Sequence, residues 1–293
     1  MQNHFDQFGE LTNKQIHFVA IDGLDGSGKG TLAEEIVNLQ IELGRNALLI
    51  DFPQYSTKWG KILKYLLTVD DKGLTLPERM AVYALNRLEC VDALINEGLK
   101  FKEETVVVFD RFPTSNILTI AYYLAKNELK DVELTELEES LKAKMEVIKK
   151  YINEMFVLDD EFLKVLALET VKVCIPKINP RISMERLEND ATRDGADSYE
   201  NLRVQIIADY LYGIAATYHE NILILEQEGR SPKEIALDIV KLYGLNKSAS
   251  NLNSQRTKIK LHSDPEISDR MKEAMNRLLE KFPRLKSLLN LEV

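Results

Sequence analysis

Hydrophobic residues fall into two alternating patterns along this chain. Short apolar or β-branched runs at His17–Ile21, Ala47–Phe52, Thr105–Phe109, Thr170–Ile175 and Asn221–Leu225 read as strands, the third apolar throughout as expected when both faces are covered. Between them, apolar residues recur every three or four positions. Thr31–Leu43 carries Leu32, Ile36, Leu39 and Leu43 on one helical face, and Gly44 follows as a stop. Pro77–Asn96, Thr119–Lys126, Leu134–Met155, Pro180–Asn189, Ser198–His219 and Pro232–Tyr243 also read as helical. Strands alternating with helices predict an α/β fold, with a five-stranded parallel sheet covered by helices on both faces.

The pattern changes at both ends. Residues 1–14 form a polar tail. Asn246–Lys258 is Ser/Asn-rich, lacks a period and reads as a linker. Beyond it, Ser263-Asp264-Pro265-Glu266 is a helix-start signal. Ile267, Met271, Met275, Leu278, Phe282 and Leu285 then mark an amphipathic helix, kinked near Pro283. The expected division is a tail over 1–14, a principal domain over 15–247, and a linker with a C-terminal helical extension over 248–293.

Composition narrows the partners. With 45 % apolar and 29 % charged residues, the 293-residue chain is an ordinary globular protein, not a disordered or fibrous one. Its net charge of −9 disfavours general nucleic-acid binding. That charge is uneven: residues 248–293 hold nine Lys/Arg and six Asp/Glu, a net of +3, so the remainder stands at −12. Two distant cysteines, Cys90 and Cys174, and four histidines offer neither a disulfide framework nor a Cys/His metal site. The N-terminus lacks the apolar core of a signal peptide, and no apolar run is long enough to span a bilayer. A cytoplasmic protein is expected, with neither nucleic acid nor membrane as partner.

The strongest chemical signal is Gly23-Leu24-Asp25-Gly26-Ser27-Gly28-Lys29-Gly30-Thr31, set between a predicted strand and a predicted helix. That context defines a phosphate-binding P-loop, which makes the expected architecture P-loop NTPase-like with three layers. Backbone N–H groups around Gly23, Gly26, Ser27, Gly28 and Gly30 can wrap phosphate oxygens, aided by the helix N-terminus. Lys29 is expected to reach the β/γ-phosphates. Gly30 occupies the position where a Mg²⁺-binding Ser or Thr usually stands, so the hydroxyl comes one residue later, at Thr31.

Four further motifs follow in order. They are Phe52-Pro53-Gln54-Tyr55-Ser56-Thr57 with Gly60, Tyr83-Ala84-Leu85-Asn86-Arg87-Leu88-Glu89, Asp110-Arg111-Phe112 with Ser115 and Asn116, and a lid-like stretch over 181–200. From about Ile16 to Tyr243 the chain resembles the thymidylate kinase family of nucleoside monophosphate kinases. The resemblance implies transfer of phosphate from ATP, with Mg²⁺, to a deoxynucleoside monophosphate, most simply dTMP. It implies that Arg111 holds the acceptor phosphate, that Asp110 and Thr31 organise Mg²⁺, and that Asp25 meets the sugar hydroxyl. By the same likeness Arg87 reads the base edge and Tyr83 stacks on the base. Phe52, Pro53, Tyr55, Ser115 and Asn116 complete the acceptor site, Arg186 packs near adenine, and the protein is a homodimer. Read as residues alone, Tyr83 could be core, Arg87 could pair with a surface carboxylate, and Asp110 could cap a helix or pair with Arg111.

Departures from the family bear on mechanism. Tyr55 stands where an arginine is frequent, and Gly26 where some relatives carry a catalytic arginine in the loop. Asp51 stands where a basic residue often precedes Phe-Pro. The lid motif has Ser198 in place of an expected arginine, which leaves Arg193 as the leading lid residue and Arg203 as reserve. Residues 125–177 form a longer middle than the family has. Two other readings remain: a kinase for another monophosphate, and a nucleotide-binding regulator without turnover.

Overall fold

The computed structural model describes residues 16–68, 73–98, 104–168, 171–189, 199–227, 229–249 and 254–289. The core alternation is β1 (Ile16–Ile21), α1 (Lys29–Glu42), β2 (Asn46–Asp51), α2 (Lys58–Thr68), α3 (Leu76–Gly98), β3 (Thr105–Asp110) and α4 (Asn116–Tyr123). A helical middle follows with α5 (Leu137–Ala143), α6 (Met145–Leu158) and α7 (Asp160–Val165). The chain then adds β4 (Val173–Lys177), α8 (Pro180–Glu188), α9 (Leu202–Tyr218), β5 (Ile222–Glu226) and α10 (Pro232–Leu242). It finishes with β6 (Arg256–Ile259), α11 (Asp269–Lys281) and α12 (Leu285–Leu288).

All strands run parallel in the order β5-β4-β1-β3-β2-β6. Alternate residues of each strand divide between two apolar layers. Val19, Ile21, Val106, Val108, Ala47 and Leu49 face α1 and α10. Phe18, Ala20, Leu48, Ile50, Val107 and Phe109 face α3, α4, α6, α7 and α9. The chain fills one side of β1 with β2 and β3, then crosses to β4 and β5. The turn after β1 therefore opens at the reversal point where ligands of open α/β sheets bind.

The sheet has six strands, not the expected five. The extra strand, β6, comes from the end of the segment read as a linker. Its sequence, Arg-Thr-Lys-Ile, has one buried residue, Ile259, and so shows no apolar signal. It is held through the backbone, in register with β2 from Ala47–Arg256 to Ile50–Ile259. A charged outer strand also suits a sheet edge, where it discourages further pairing.

Other elements shift. The 11-residue helix α2 lies outside the predicted set, although Trp59, Ile62, Leu63 and Leu66 have helical spacing and are buried. Leu134–Met155 is not one helix: the chain turns at Lys144, where tight bonds from Lys144 N to Leu141 O and from Val147 N to Lys144 O (each 3.0 Å) separate α5 from α6. β4 begins at Val173, later than expected, with Thr170 outside the described residues. The last long helix starts not at Ser263 but at Ser268, whose side chain accepts from Met271 N. It breaks at Pro283 as expected. The middle helices belong to the core: Phe162 of α7 meets Phe52, Phe109 and Phe112 edge-on, with ring centroids 6.0–6.3 Å apart.

Candidate active site

β1 ends at Ile21, and the glycine-rich loop carries the chain to Lys29 at the start of α1. Lys29 is buried and donates to Leu24 O (3.0 Å) and to Asp25 Oδ1 (3.1 Å). Gly26 has a positive φ of 76°, and a Cβ built there would lie 2.4 Å from Ser183 O of α8. Helix α8 thus rests on the loop, with Ser183 Oγ donating to Asp25 O. An arginine at position 26, as some relatives have, would not fit under this helix.

Arg111 follows the last residue of β3 with φ 75°. A side-chain-bearing residue in that region costs about 1–2 kcal/mol, so neighbouring contacts must hold it there. Its N–H donates to Ile21 O (2.9 Å). The next residues are gripped by Asp22, which is fully buried. Asp22 accepts from Phe112 N (3.2 Å), Thr114 Oγ1 (2.6 Å), Ser115 Oγ (2.7 Å), Gly23 N (2.9 Å) and Tyr212 OH (3.3 Å). Asp22, which no motif reading had assigned a role, locks the phosphate loop to the turn that presents Arg111.

Arg111 Nη2 donates to Asp25 Oδ1 at 2.7 Å, the atom that Lys29 also contacts. Burial alone would raise the Asp25 pKa, but Arg111 and Lys29 outweigh it and hold the carboxyl well below the usual carboxylate range. Asp25, the residue expected to meet a sugar hydroxyl, lines the cleft and is also the charge on which two cations converge. Asp110 is the opposite case: burial pushes its pKa up, Lys29 and Arg111 pull against that, and Asp51 and Asp22 add to it.

Asp25, Phe52, Pro53, Tyr55, Tyr83, Arg87, Arg111 and Ser115 all line one cleft, joined by Asn86 and Tyr199. Asn116 does not: it is buried behind the wall, its Oδ1 accepting from Thr119 Oγ1 (3.4 Å). Ser115 reaches the cleft while its hydroxyl is spent on Asp22. Tyr83 is half-buried, with its hydroxyl 3.4 Å from that of Tyr199. Arg87 is 2 % exposed and forms a double bond pair with Asp159, Nε to Oδ1 and Nη2 to Oδ2, each 2.6 Å. Its partner is thus a buried carboxylate 72 positions away, which no local spacing could reveal.

The floor of this cleft is a second polar knot. Gly60 is obligatory, because a Cβ there would stand 1.9 Å from Gln54 O. Asn86 Oδ1 accepts from Gln54 N (3.0 Å), and Trp59 N donates to Glu89 Oε1 (3.1 Å). Burial pushes the Glu89 carboxyl up to about 7, against the lowering contacts from Thr57, Trp59 and Asn86.

On the other side of the loop, a groove of ≈ 710 Å³ runs between Asn179–Arg186 and the end of β5 with Gln227, Gly229 and Arg230. Arg186 Nη1 approaches Gly26 O (3.5 Å), and Gln227 Nε2 donates to Ser27 O (3.0 Å). Gln227 carries no sequence signal of its own. Arg193 lies outside the described residues. Arg203, the reserve lid residue, is committed elsewhere: its Nη1 donates to Leu129 O (2.8 Å) and Val132 O (2.6 Å).

A divalent cation fits this site only as a phosphate-bound ion. Asp110 Oδ1 is buried without a hydrogen bond in the protein, and Asp110 Oδ2 would be 3.1 Å from a Cβ at Gly30. Among the described residues no cluster of three His, Cys, Asp or Glu could hold a metal by itself. Mg²⁺ accepts such sparse protein ligation when water and phosphate oxygens complete its shell.

The family model for thymidylate kinase matches residues 21–148. A thymidylate kinase of Exiguobacterium sp. is 29 % identical over 107 residues, 36 % of this chain and 50 % of the relative. The Homo sapiens enzyme is 31 % identical over 103 residues, 34 % of this chain and 45 % of the relative. The chain thus spans half or less of the length of these two relatives. The thymidylate kinase of Fervidobacterium nodosum is 24 % identical over 230 residues, 77 % of this chain and 98 % of the relative. A solved Candida albicans thymidylate kinase superposes with a TM-score of 0.51 at 19 % identity, covering 82 % of this chain and 96 % of that one; this likeness concerns the fold.

Proposed function

We propose that this chain is a member of the thymidylate kinase family and transfers the γ-phosphate of ATP to a deoxynucleoside monophosphate, with dTMP as acceptor. The observation that carries the reading is the junction at Asp25. One carboxylate binds Lys29 of a phosphate loop and Arg111 of a neighbouring cleft, so two anion sites meet at the C-terminal ends of β1 and β3. Transfer between two nucleotides needs that arrangement: positioning in line, charge neutralisation and exclusion of water.

In this reading Gly23–Thr31 cradle the donor phosphates, with Lys29 on the transferred end. The groove at Arg186 and Gln227 takes the adenosine. Arg111 holds the acceptor phosphate through its guanidinium fork. Tyr83 and Arg87 meet the base, while Phe52, Pro53, Tyr55 and Ser115 shape the wall. Asp110 and Thr31 would hold Mg²⁺ through water; when bound, the ion neutralises charge on the β- and γ-phosphates. Arg193 supplies positive charge from the lid, since position 26 cannot. A homodimer is expected from the family likeness, and light scattering measures it.

The test is a panel of nucleoside monophosphates with ATP and Mg²⁺, read by ADP release. Preferential turnover of dTMP supports the reading. Preference for another monophosphate, or nucleotide binding without turnover, overturns it.

A further inference from the structure

The pair between Arg87 and Asp159 is not explained by phosphate transfer. Arg87 lies on α3, within the motif shared with the family, and lines the acceptor cleft. Asp159 lies at the junction of α6 and α7, in the long middle and beyond the 21–148 stretch that the family model matches. Its side chain is fully buried, and both its oxygens are used on Arg87, at 2.6 Å each.

That geometry restricts what Arg87 can offer. A guanidinium has five N–H donors and no acceptor. Asp159 consumes Nε–H and one N–H of Nη2. What remains is one edge of donors, fixed in orientation because rotating it would break both bonds. Asp159 is itself held. Its N–H donates to Phe156 O (3.2 Å), its carbonyl accepts from Leu163 N (2.9 Å), and α6 and α7 both pack on α3. From the C-terminal extension, Arg277 clasps Glu161 two residues further on (2.9 Å).

We propose that Asp159 is a positioning residue for acceptor choice: it sets Arg87 as a rigid donor edge that favours a base presenting a carbonyl oxygen over one presenting an amino group. The proposal rests on the kinase reading above. A base with an amino group on that edge would face donor with donor, and an unmatched buried polar contact is where sites discriminate most strongly. Asp159 touches no substrate; it acts through Arg87.

Asp159→Asn tests this, with dTMP and dCMP compared at saturating ATP. The expected result is a rise in the dTMP KM of about tenfold and a fall of at least about tenfold in the dTMP-to-dCMP ratio of kcat/KM. The KM for ATP should hold. An unchanged ratio in a folded Asp159→Asn protein overturns the proposal. Removing one partner of a buried pair also destabilises the fold, so the double variant Arg87→Met/Asp159→Leu is measured alongside it. This variant leaves no lone charge and should stay folded with the dTMP preference lost; retention of the preference again overturns the proposal. A wild-type protein that turns over no monophosphate would instead defeat the kinase reading, which separates the two failures.

Discussion

Around Asp25 and Glu89, burial acts on two carboxylates with opposite results. Asp25 has two cations within 3.1 Å and stays ionised; Glu89 has only neutral donors and is pushed up to about 7. Thr57 Oγ1 donates to Glu89 Oε2 (2.7 Å), and Trp59 N (3.1 Å) and Asn86 Nδ2 (3.5 Å) also donate to this carboxyl, but burial outweighs these neutral contacts. Because the folded pKa exceeds the ordinary 4.5, Glu89's contribution to stability is full below about pH 4.5 and is lost as pH rises through 7. The loss amounts to about 3 kcal/mol, at 1.36 kcal/mol per unit. Glu89→Gln mimics the protonated form, so its denaturation midpoint should vary less between pH 5 and 8 than that of the wild type; parallel curves would exclude this account. Arg111 gives a second expectation. Arg111→Gly removes the guanidinium but suits the left-handed backbone, so dTMP-dependent kcat/KM should fall about 10²–10³-fold; thermal stability should also fall, because buried Asp25 keeps only Lys29 as partner. Full activity in that variant would remove Arg111 from the acceptor site.

Among the elements, the C-terminal extension bears directly on the site. β6 and the residues after it reach the segment 51–56: Leu261 N donates to Gln54 Oε1 (3.0 Å), Ser56 Oγ donates to Leu261 O, and Lys258 faces Asp51 (3.7 Å). The odd acidic residue at position 51 thus has its counter-charge in the extension. Helix α11 lies on α3, where Ser268 N donates to Asp92 Oδ2 (2.6 Å) and Arg284 meets Glu78 (3.4 Å). The extension also buries Ile259, Met271, Ala274, Leu279, Leu285 and Leu288, so truncation would lower stability. Gln54→Leu, which removes the bond from Leu261 N worth ~1 kcal/mol, should instead raise the dTMP KM by several-fold and leave the ATP KM within about twofold. Equal changes in both constants, or none, would show that the extension does not support the acceptor side.

Across the whole molecule, the net charge is −9, yet two buried or half-buried cations, Lys29 and Arg111, converge on one carboxylate at the C-terminal edge of the sheet. Lys29 and Arg111 arrive there from loops after β1 and β3. Helix α8 closes position 26 from above, so in the proposed reading the further positive charge for transfer would come from Arg193. Arg193→Ala is accordingly expected to lower kcat while leaving both KM values near those of the wild type; a change confined to KM would assign Arg193 to binding.

The local sequence by itself determined the parallel α/β core, the glycine-rich loop between β1 and α1, and most of the residues that line the cleft beside it. Those features arise from short-range chemistry: period-2 and period-3.6 hydrophobicity, glycines before a helix, an arginine after a buried strand. Tertiary structure decided what depends on partners far apart in the chain. β6 is held by backbone bonds to β2 and has no apolar pattern to read. Asp22 becomes a hub only when the 111–115 turn folds against it, and Asn116 leaves the cleft because its helix turns it inward. Gln227 meets the phosphate loop 200 positions away, and Asp159 meets Arg87 across 72. In each case the deciding energy is a hydrogen bond or ion pair in a buried setting, which spacing along the chain does not encode.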